Sequence, residues 1–133
     1  MILVDTNILL DLVTADPEWA DWSRQHLDLA AARDEIAIND IVYAELSVRY
    51  RTIEALDQML RGAGLVSAPI PRPALFLAGK AFQRYRAAGG IRTGVLPDFF
   101  IGAHAVISGS PLITRDSGRY RTYFPGIILI TPN

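Results

Sequence analysis

Five short apolar runs punctuate this chain and limit its fold more than any other feature. They are MILV (1–4), EIAI (35–38), LVSAPI (65–70), PLIT (111–114) and GIILI (126–130). A strand with one wet face alternates apolar and polar residues, whereas a short continuous run is buried on both faces, as in a parallel sheet covered by helices. The segments between the runs read as helices. One follows at once from Thr6 to Val13, and Pro17 opens another over 17–31. Asn39 or Asp40 caps a helix through IVYAELSVRY, and a further one spans about 52–61, stopped by Gly62 and Gly64. In 71–88, Leu75, Ala78, Phe82 and Tyr85 recur as one helical stripe. After Pro97, DFFIGAHAVISG is apolar nearly all round, which predicts a buried helix. GGIRTG (89–94) reads as a loop, and the stretch between the last two strands is basic and aromatic. The expected fold class is therefore α/β, a three-layer α/β/α sandwich around a central, mainly parallel five-stranded sheet, with 1–133 forming a single domain.

Composition narrows the chemistry. A chain of 133 residues can bury a core unaided. The absence of Cys excludes disulfides and thiolate zinc sites and is compatible with a reducing cytoplasm, the expected location. Asp5 interrupts the apolar N-terminus before a signal peptide could form. The longest stretch without charge, between Asp98 and Arg115, holds His104, Gly and Ser breaks and Pro111, so no membrane span is expected. The net charge of −1 conceals an asymmetry: residues 1–79 carry six Arg against twelve acids, whereas 80–133 carry Lys80 and six Arg against Asp98 and Asp116. Arg suits phosphate, so a basic second half points to a polyanionic partner.

Open α/β sheets bind ligands beyond the carboxyl ends of their strands. Asp5 stands there, directly after MILV, and Asp116 lies two residues past PLIT. Asp98 opens the apolar helix, and Glu45 follows strand EIAI on a helix, with Ile41, Ala44 and Val48 read as its inward neighbours. Each acid has a bland explanation. Asp5 and Asp98 can cap helices, Glu45 can pair with Arg49 or reach solvent, and Asp116 can serve a turn. None of these explains four acids directed at one sheet edge. Carboxylates about 5 Å apart repel by about 3 kcal/mol per contact at an effective dielectric of about 20. Either their pKa values rise or a cation neutralises them. An all-oxygen set suits Mg²⁺ or Mn²⁺ better than Zn²⁺. Such an ion can activate water and stabilise a phosphoryl transition state, with the basic half holding the phosphates.

VDTNILLD, the Glu in AELSVRY, PDFFIGAHA and LITRDSGRYRTYFPGIILITP together resemble the four signatures of PIN-domain ribonucleases, specifically the VapC-type toxins of bacterial toxin–antitoxin pairs. The resemblance runs from Met1 to Pro132. It implies an acidic metal site of Asp5, Glu45, Asp98 and Asp116, with Asp5, Asp98 and Asp116 as metal ligands and Thr6, Asn7 and Thr114 supporting them. It further implies endonucleolytic cleavage of RNA, tRNA among the targets, with Mg²⁺ or Mn²⁺, a homodimer, and a cognate antitoxin that blocks the site. Two departures stand out. Gly102 replaces the Ala common in relatives, a conservative change, and Ser117, Gly118 and Arg119 stand where some PIN domains place another acid, which puts a second metal in doubt.

RDSGRYRTYFPG mixes Arg115, Arg119 and Arg121 with Tyr120, Tyr123 and Phe124, a blend that holds single-stranded RNA. The alternative is that Tyr123 and Phe124 pack the last strand while the arginines are solvated. Arg92, in the Gly-rich loop, is a further phosphate candidate. GGIRTG is no P-loop, since no G-K-[ST] follows. His104 reads as a hydrogen-bonded interior residue, His26 as surface, and Trp19 and Trp22 as cover for the core or a partner. A receiver domain needs an acceptor Asp on a middle strand, and LVSAPI has none. An aspartyl phosphatase needs D-x-D at strand 1, where Asn7 stands. The remaining rival is a non-catalytic PIN-like module that binds RNA or a partner without cutting.

Overall fold

The computed structural model describes residues 1–92 and 94–132, so Thr93 of the expected GGIRTG loop and the final Asn133 lie outside the described residues. All five apolar runs become strands: β1 (Ile2–Val4), β2 (Ile36–Ile38), β3 (Leu65–Ser67), β4 (Leu112–Ile113) and β5 (Leu129–Ile130). They form one sheet in the order β3-β2-β1-β4-β5, and every pairing is parallel. Seven described helices accompany it: α1 (Thr6–Val13), α2 (Ala20–Arg33), α3 (Asp40–Ser47), α4 (Ile53–Gly62), α5 (Arg72–Ala87), α6 (Leu96–Ser108) and α7 (Gly118–Tyr123). This is the expected three-layer α/β/α sandwich.

Strand β1 is central, with Leu3 registered between Ala37 and Leu112, and the chain winds outward from it on both sides. The strand order reverses there, which is where such sheets open a crevice at their carboxyl edge. The three residues of β1 are at most 2% exposed, consistent with layers on both faces.

Local signals set the helix starts. Asn39 Oδ1 accepts from the N–H groups of Ile41 and Val42, and Thr52 Oγ1 accepts from Ala55, both satisfying donors that a first turn leaves open. Gly109, at φ +64°, closes α6 in the left-handed conformation that glycine adopts without a Cβ penalty.

Several expectations shift. Helix α2 begins at Ala20 because the Asp16 carboxylate accepts the N–H groups of both Glu18 and Trp19, holding Pro17–Trp19 in a turn. Helix α3 ends at Ser47, whose hydroxyl donates back to the Ala44 carbonyl. The buried stripe of α5 is Ala74, Ala78 and Ala81, with Leu75 turned outward; these small residues let α5 lie closely along α6. The basic segment after β4 contains α7, which was not expected. No described helix is long and apolar enough to cross a membrane.

Candidate active site

Asp5 is built into the join between β1 and α1. Its N–H continues the ladder to the Ile113 carbonyl at 2.9 Å, and its side chain caps α1 by accepting the Thr6 N–H at 2.7 Å. The carboxylate is only 4% exposed. Its other oxygen accepts the hydroxyls of Thr114 and Tyr120, each at 2.8 Å. Burial pushes the Asp5 acid above the usual range, the three donors pull it down, and the negative charge of Glu45 adds to the rise.

Around Asp5 the polar groups form a connected network. The Thr6 hydroxyl donates to Glu45 at 2.6 Å, which ties α3 to the end of β1. Thr114 gives its one proton to Asp5 and accepts from the Asn7 amide at 3.2 Å and the Asp116 N–H at 3.1 Å. The Asn7 carbonyl accepts the Arg115 N–H at 3.2 Å. Thr6, Asn7 and Thr114 thus connect β1, β4, α1 and α3 at one edge of the sheet.

The four acids are graded in exposure: Asp5 is buried, Glu45 and Asp98 are half-buried, and Asp116 is exposed at the rim. They share one field. The Asp98 acid is raised from 3.8 to about 6, first by burial and then by Asp5, with Asp116 and Glu45 adding to the rise and Arg119 opposing it. Glu45 reaches this place differently from the sequence reading. Ala44 and Val48 are exposed, Val48 by 85%, and α3 buries Val42 and Leu46 instead. The bond from Thr6, rather than an inward face of α3, positions Glu45.

Among the described residues, no group of three acidic or imidazole side chains is arranged to hold a metal ion as it stands. Asp98 is instead engaged by Arg119, with Nη1 2.6 Å from Oδ2. The donor chemistry nevertheless fits a hard divalent cation: the set is all-oxygen, and repulsion from Asp5, Asp116 and Glu45 adds to the burial that lifts Asp98.

The four candidate RNA-binding arginines diverge. Arg115 holds Asp11 in a two-point grip, Nε to Oδ2 at 2.7 Å and Nη2 to Oδ1 at 2.9 Å, and lies 5.1 Å above the Trp19 ring. One edge of its fork, Nε and Nη2, is spent on Asp11, which gives Arg115 a structural partner that the sequence did not show. Arg119 stands on Asp98, while Arg92 and Arg121 are exposed. The aromatic residues between them are not stacking platforms. Tyr120 and Phe124 are buried, and Tyr123 packs among Tyr85 and Phe99. His104 is buried against the Asn39 amide, which lowers its pKa through desolvation, and it lies apart from the acids' hydrogen bonds.

Two residues of this region were missed from sequence. Asp11, the last residue of VDTNILLD, drew no role of its own from the sequence, yet it is the partner of Arg115. Tyr120 was grouped with RNA-stacking aromatics, although Tyr120, Tyr123 and Phe124 recur at i, i+3 and i+4, the spacing of a short buried helix face.

A five-stranded parallel sheet with an acidic crevice at the carboxyl ends of β1 and β4 defines an open α/β domain. The PIN-domain family profile matches residues 2–125, and the chain belongs to that family. Solved structures agree in fold. The chain is 24% identical to one in the VapBC2 complex of Rickettsia felis bound to a promoter DNA fragment, with a TM-score of 0.75 and 100% of both chains covered. It is 25% identical to one in a toxin–antitoxin complex from Klebsiella pneumoniae, with a TM-score of 0.70 and coverage of 100% and 98%. DNA-bound VapBC from Salmonella typhimurium gives 20% identity and a TM-score of 0.71, covering 98% of each chain. No curated protein matches.

Proposed function

We propose that this chain, acting as one PIN domain, is a divalent-metal-dependent endoribonuclease and the toxin of a VapC-type toxin–antitoxin pair. The observation that carries the reading is the gathering of Asp5, Glu45, Asp98 and Asp116 at the carboxyl edge of a PIN fold, where burial first and the charges of the other three acids next raise Asp98 to about 6. Asp5, Asp98 and Asp116 would hold Mg²⁺ or Mn²⁺, with Glu45 completing the acidic set. The bound ion supplies Lewis acidity at the scissile phosphate and lowers the pKa of the attacking water.

The protein's own groups do the rest. Thr6 and Thr114 fix the directions of Glu45 and Asp5 by charge-assisted hydrogen bonds, so the acids need not reorganise during reaction. Arg92, Arg119 and Arg121 contact RNA phosphates, tRNA among the substrates, while Arg115 braces α1 against the loop after β4. Arg119 exchanges Asp98 for the phosphate as the site fills. The relatives in complexes named VapBC or toxin–antitoxin extend the reading to a cognate antitoxin as partner. The family resemblance adds a homodimer in the cytoplasm.

One observation favours a second reading. Arg119 already pairs with Asp98, as it would in a PIN-like module that binds RNA or a partner without cutting. The test is cleavage of total RNA by the purified chain with Mg²⁺, Mn²⁺ or EDTA, beside Asp5→Asn. Metal-dependent cleavage that Asp5→Asn abolishes, with an unchanged circular dichroism spectrum, supports the nuclease. Full activity in Asp5→Asn removes the central claim, and no cleavage by the wild type with either metal favours the binding module.

A further inference from the structure

We infer that Tyr120, seated by Gly102, is a positioning residue for Asp5: its phenol completes the coordination of Oδ2 and leaves Oδ1 as the oxygen that Asp5 offers to a cation. The inference rests on the reading of Asp5 as part of a metal site. It follows from counting donors. Each carboxylate oxygen has two lone-pair sites. Oδ2 accepts Thr114 Oγ1 and Tyr120 Oη, each at 2.8 Å, while the Asn7 amide at 3.5 Å is too long to count as a third. Among the described residues, Oδ1 accepts only the Thr6 N–H, at 2.7 Å. Thr114 has a single proton and cannot fill Oδ2 alone. Without the phenol, Oδ2 keeps only Thr114 and has an open lone pair, so the two oxygens, each with one donor, are less sharply distinguished and the carboxylate is held less firmly.

Gly102 explains how a tyrosine reaches this far in. Tyr120 is 1% exposed, and its ring lies against α6 beside Phe124. A Cβ at position 102 would come 2.6 Å from two carbons of the Phe124 ring and 3.0 Å from Tyr120 Cδ1. Glycine inside a helix costs about 1 kcal/mol relative to alanine, so a gap that admits two rings is a physical reason to keep it there. The Gly102 departure, conservative by sequence, is thus not conservative in space. It opens the path along which the phenol reaches Asp5.

The test uses the full chain stripped of metal, with Tyr120→Phe, Gly102→Ala, the double variant, and Asp5→Asn as reference. Mn²⁺ binding is read by calorimetry, and kcat and KM are measured on RNA. Tyr120→Phe keeps the ring and deletes one hydroxyl. It should weaken Mn²⁺ binding about tenfold, the usual scale for groups that orient a metal ligand, and lower kcat with KM unchanged. Gly102→Ala should act in the same direction, and the double variant should be no worse than the poorer single, because both remove the same contact. If Tyr120→Phe binds Mn²⁺ within twofold of the wild type and keeps its kcat, Tyr120 is packing alone and the inference is overturned, whatever happens to Tm. If the wild type binds Mn²⁺ no better than Asp5→Asn, the inference falls together with the nuclease reading. If the wild type binds and cleaves while Tyr120→Phe matches it, only the inference falls.

Discussion

Two arginines four residues apart, Arg115 and Arg119, each hold an aspartate, and the two pairs have opposite characters. Arg115 grips Asp11 with two parallel bonds, Asp11 takes a third from the Ser23 hydroxyl at 2.7 Å, and the guanidinium lies over Trp19. Asp11 is 2% exposed, and each of its oxygens has a partner. Arg119 touches Asp98 through one nitrogen, both side chains remain partly open to solvent, and Asp98 stays raised to about 6 in spite of it. A carboxylate whose neighbours are all donors is part of the frame. A carboxylate among like charges, with one exchangeable partner, is suited to receiving something else.

The largest expected break in this contrast comes from Arg115→Ala. It strands the buried Asp11 charge and should destabilise the fold by about 3 kcal/mol. That corresponds to roughly 10 °C in Tm, checked by thermal unfolding. Arg119→Ala should shift Tm far less, since exposed pairs contribute at most about 1 kcal/mol. A comparable loss from both variants would erase the distinction.

Asp98 sharpens the same contrast through pH. Its acid titrates at about 6 in the fold against 3.8 for the ordinary group, so between those values the folded state binds more protons than the unfolded. Stability is therefore highest below the lower value and is lost as pH rises through the upper one. Metal-free Asp98→Asn should gain on the wild type above pH 6, by about 1 kcal/mol after solvent screening, and the gain should fade towards the acid end. Denaturant unfolding from acid to neutral pH measures this, and a constant difference at all pH values would contradict the shared field.

Lysine replacements give finer resolution. Arg115→Lys loses the fork and the stacking on Trp19 and should cost about 1 kcal/mol. Arg119→Lys keeps a single point charge and should change stability by less than about 0.5 kcal/mol. Mn²⁺ calorimetry completes the series: at pH 8, Arg119→Gln should bind several-fold more tightly, because the ion no longer competes with a resident guanidinium for Asp98. Unchanged affinity would mean that Arg119 does not share the ion's place.

The parts legible from sequence were those with a local cause. Apolar runs such as MILV and PLIT declare buried strands by being short and unbroken, and Asn39 and Thr52 mark helix starts by chemistry confined to one turn. The acids of the site stood out because each follows a strand or opens a helix. What could not be read depended on contacts between distant residues. Helix α7 has no side-chain cap, and it is held by Tyr120 and Phe124 packing near Gly102 rather than by propensity. The partnership of Arg115 with Asp11 spans 104 positions, and that of Tyr120 with Asp5 spans 115, so neither leaves a mark on its neighbours. Glu45 was placed correctly on its helix but for the wrong reason, because its orientation comes from Thr6.

The central position of β1 has a consequence for synthesis. Strand β1 cannot gain its second neighbour until β4, which begins at Leu112, has been made, and the hydroxyl that completes Asp5 belongs to residue 120. Until then β1 keeps one edge unpaired, and a pairing between segments so far apart in the chain makes the middle of the sheet slow to close.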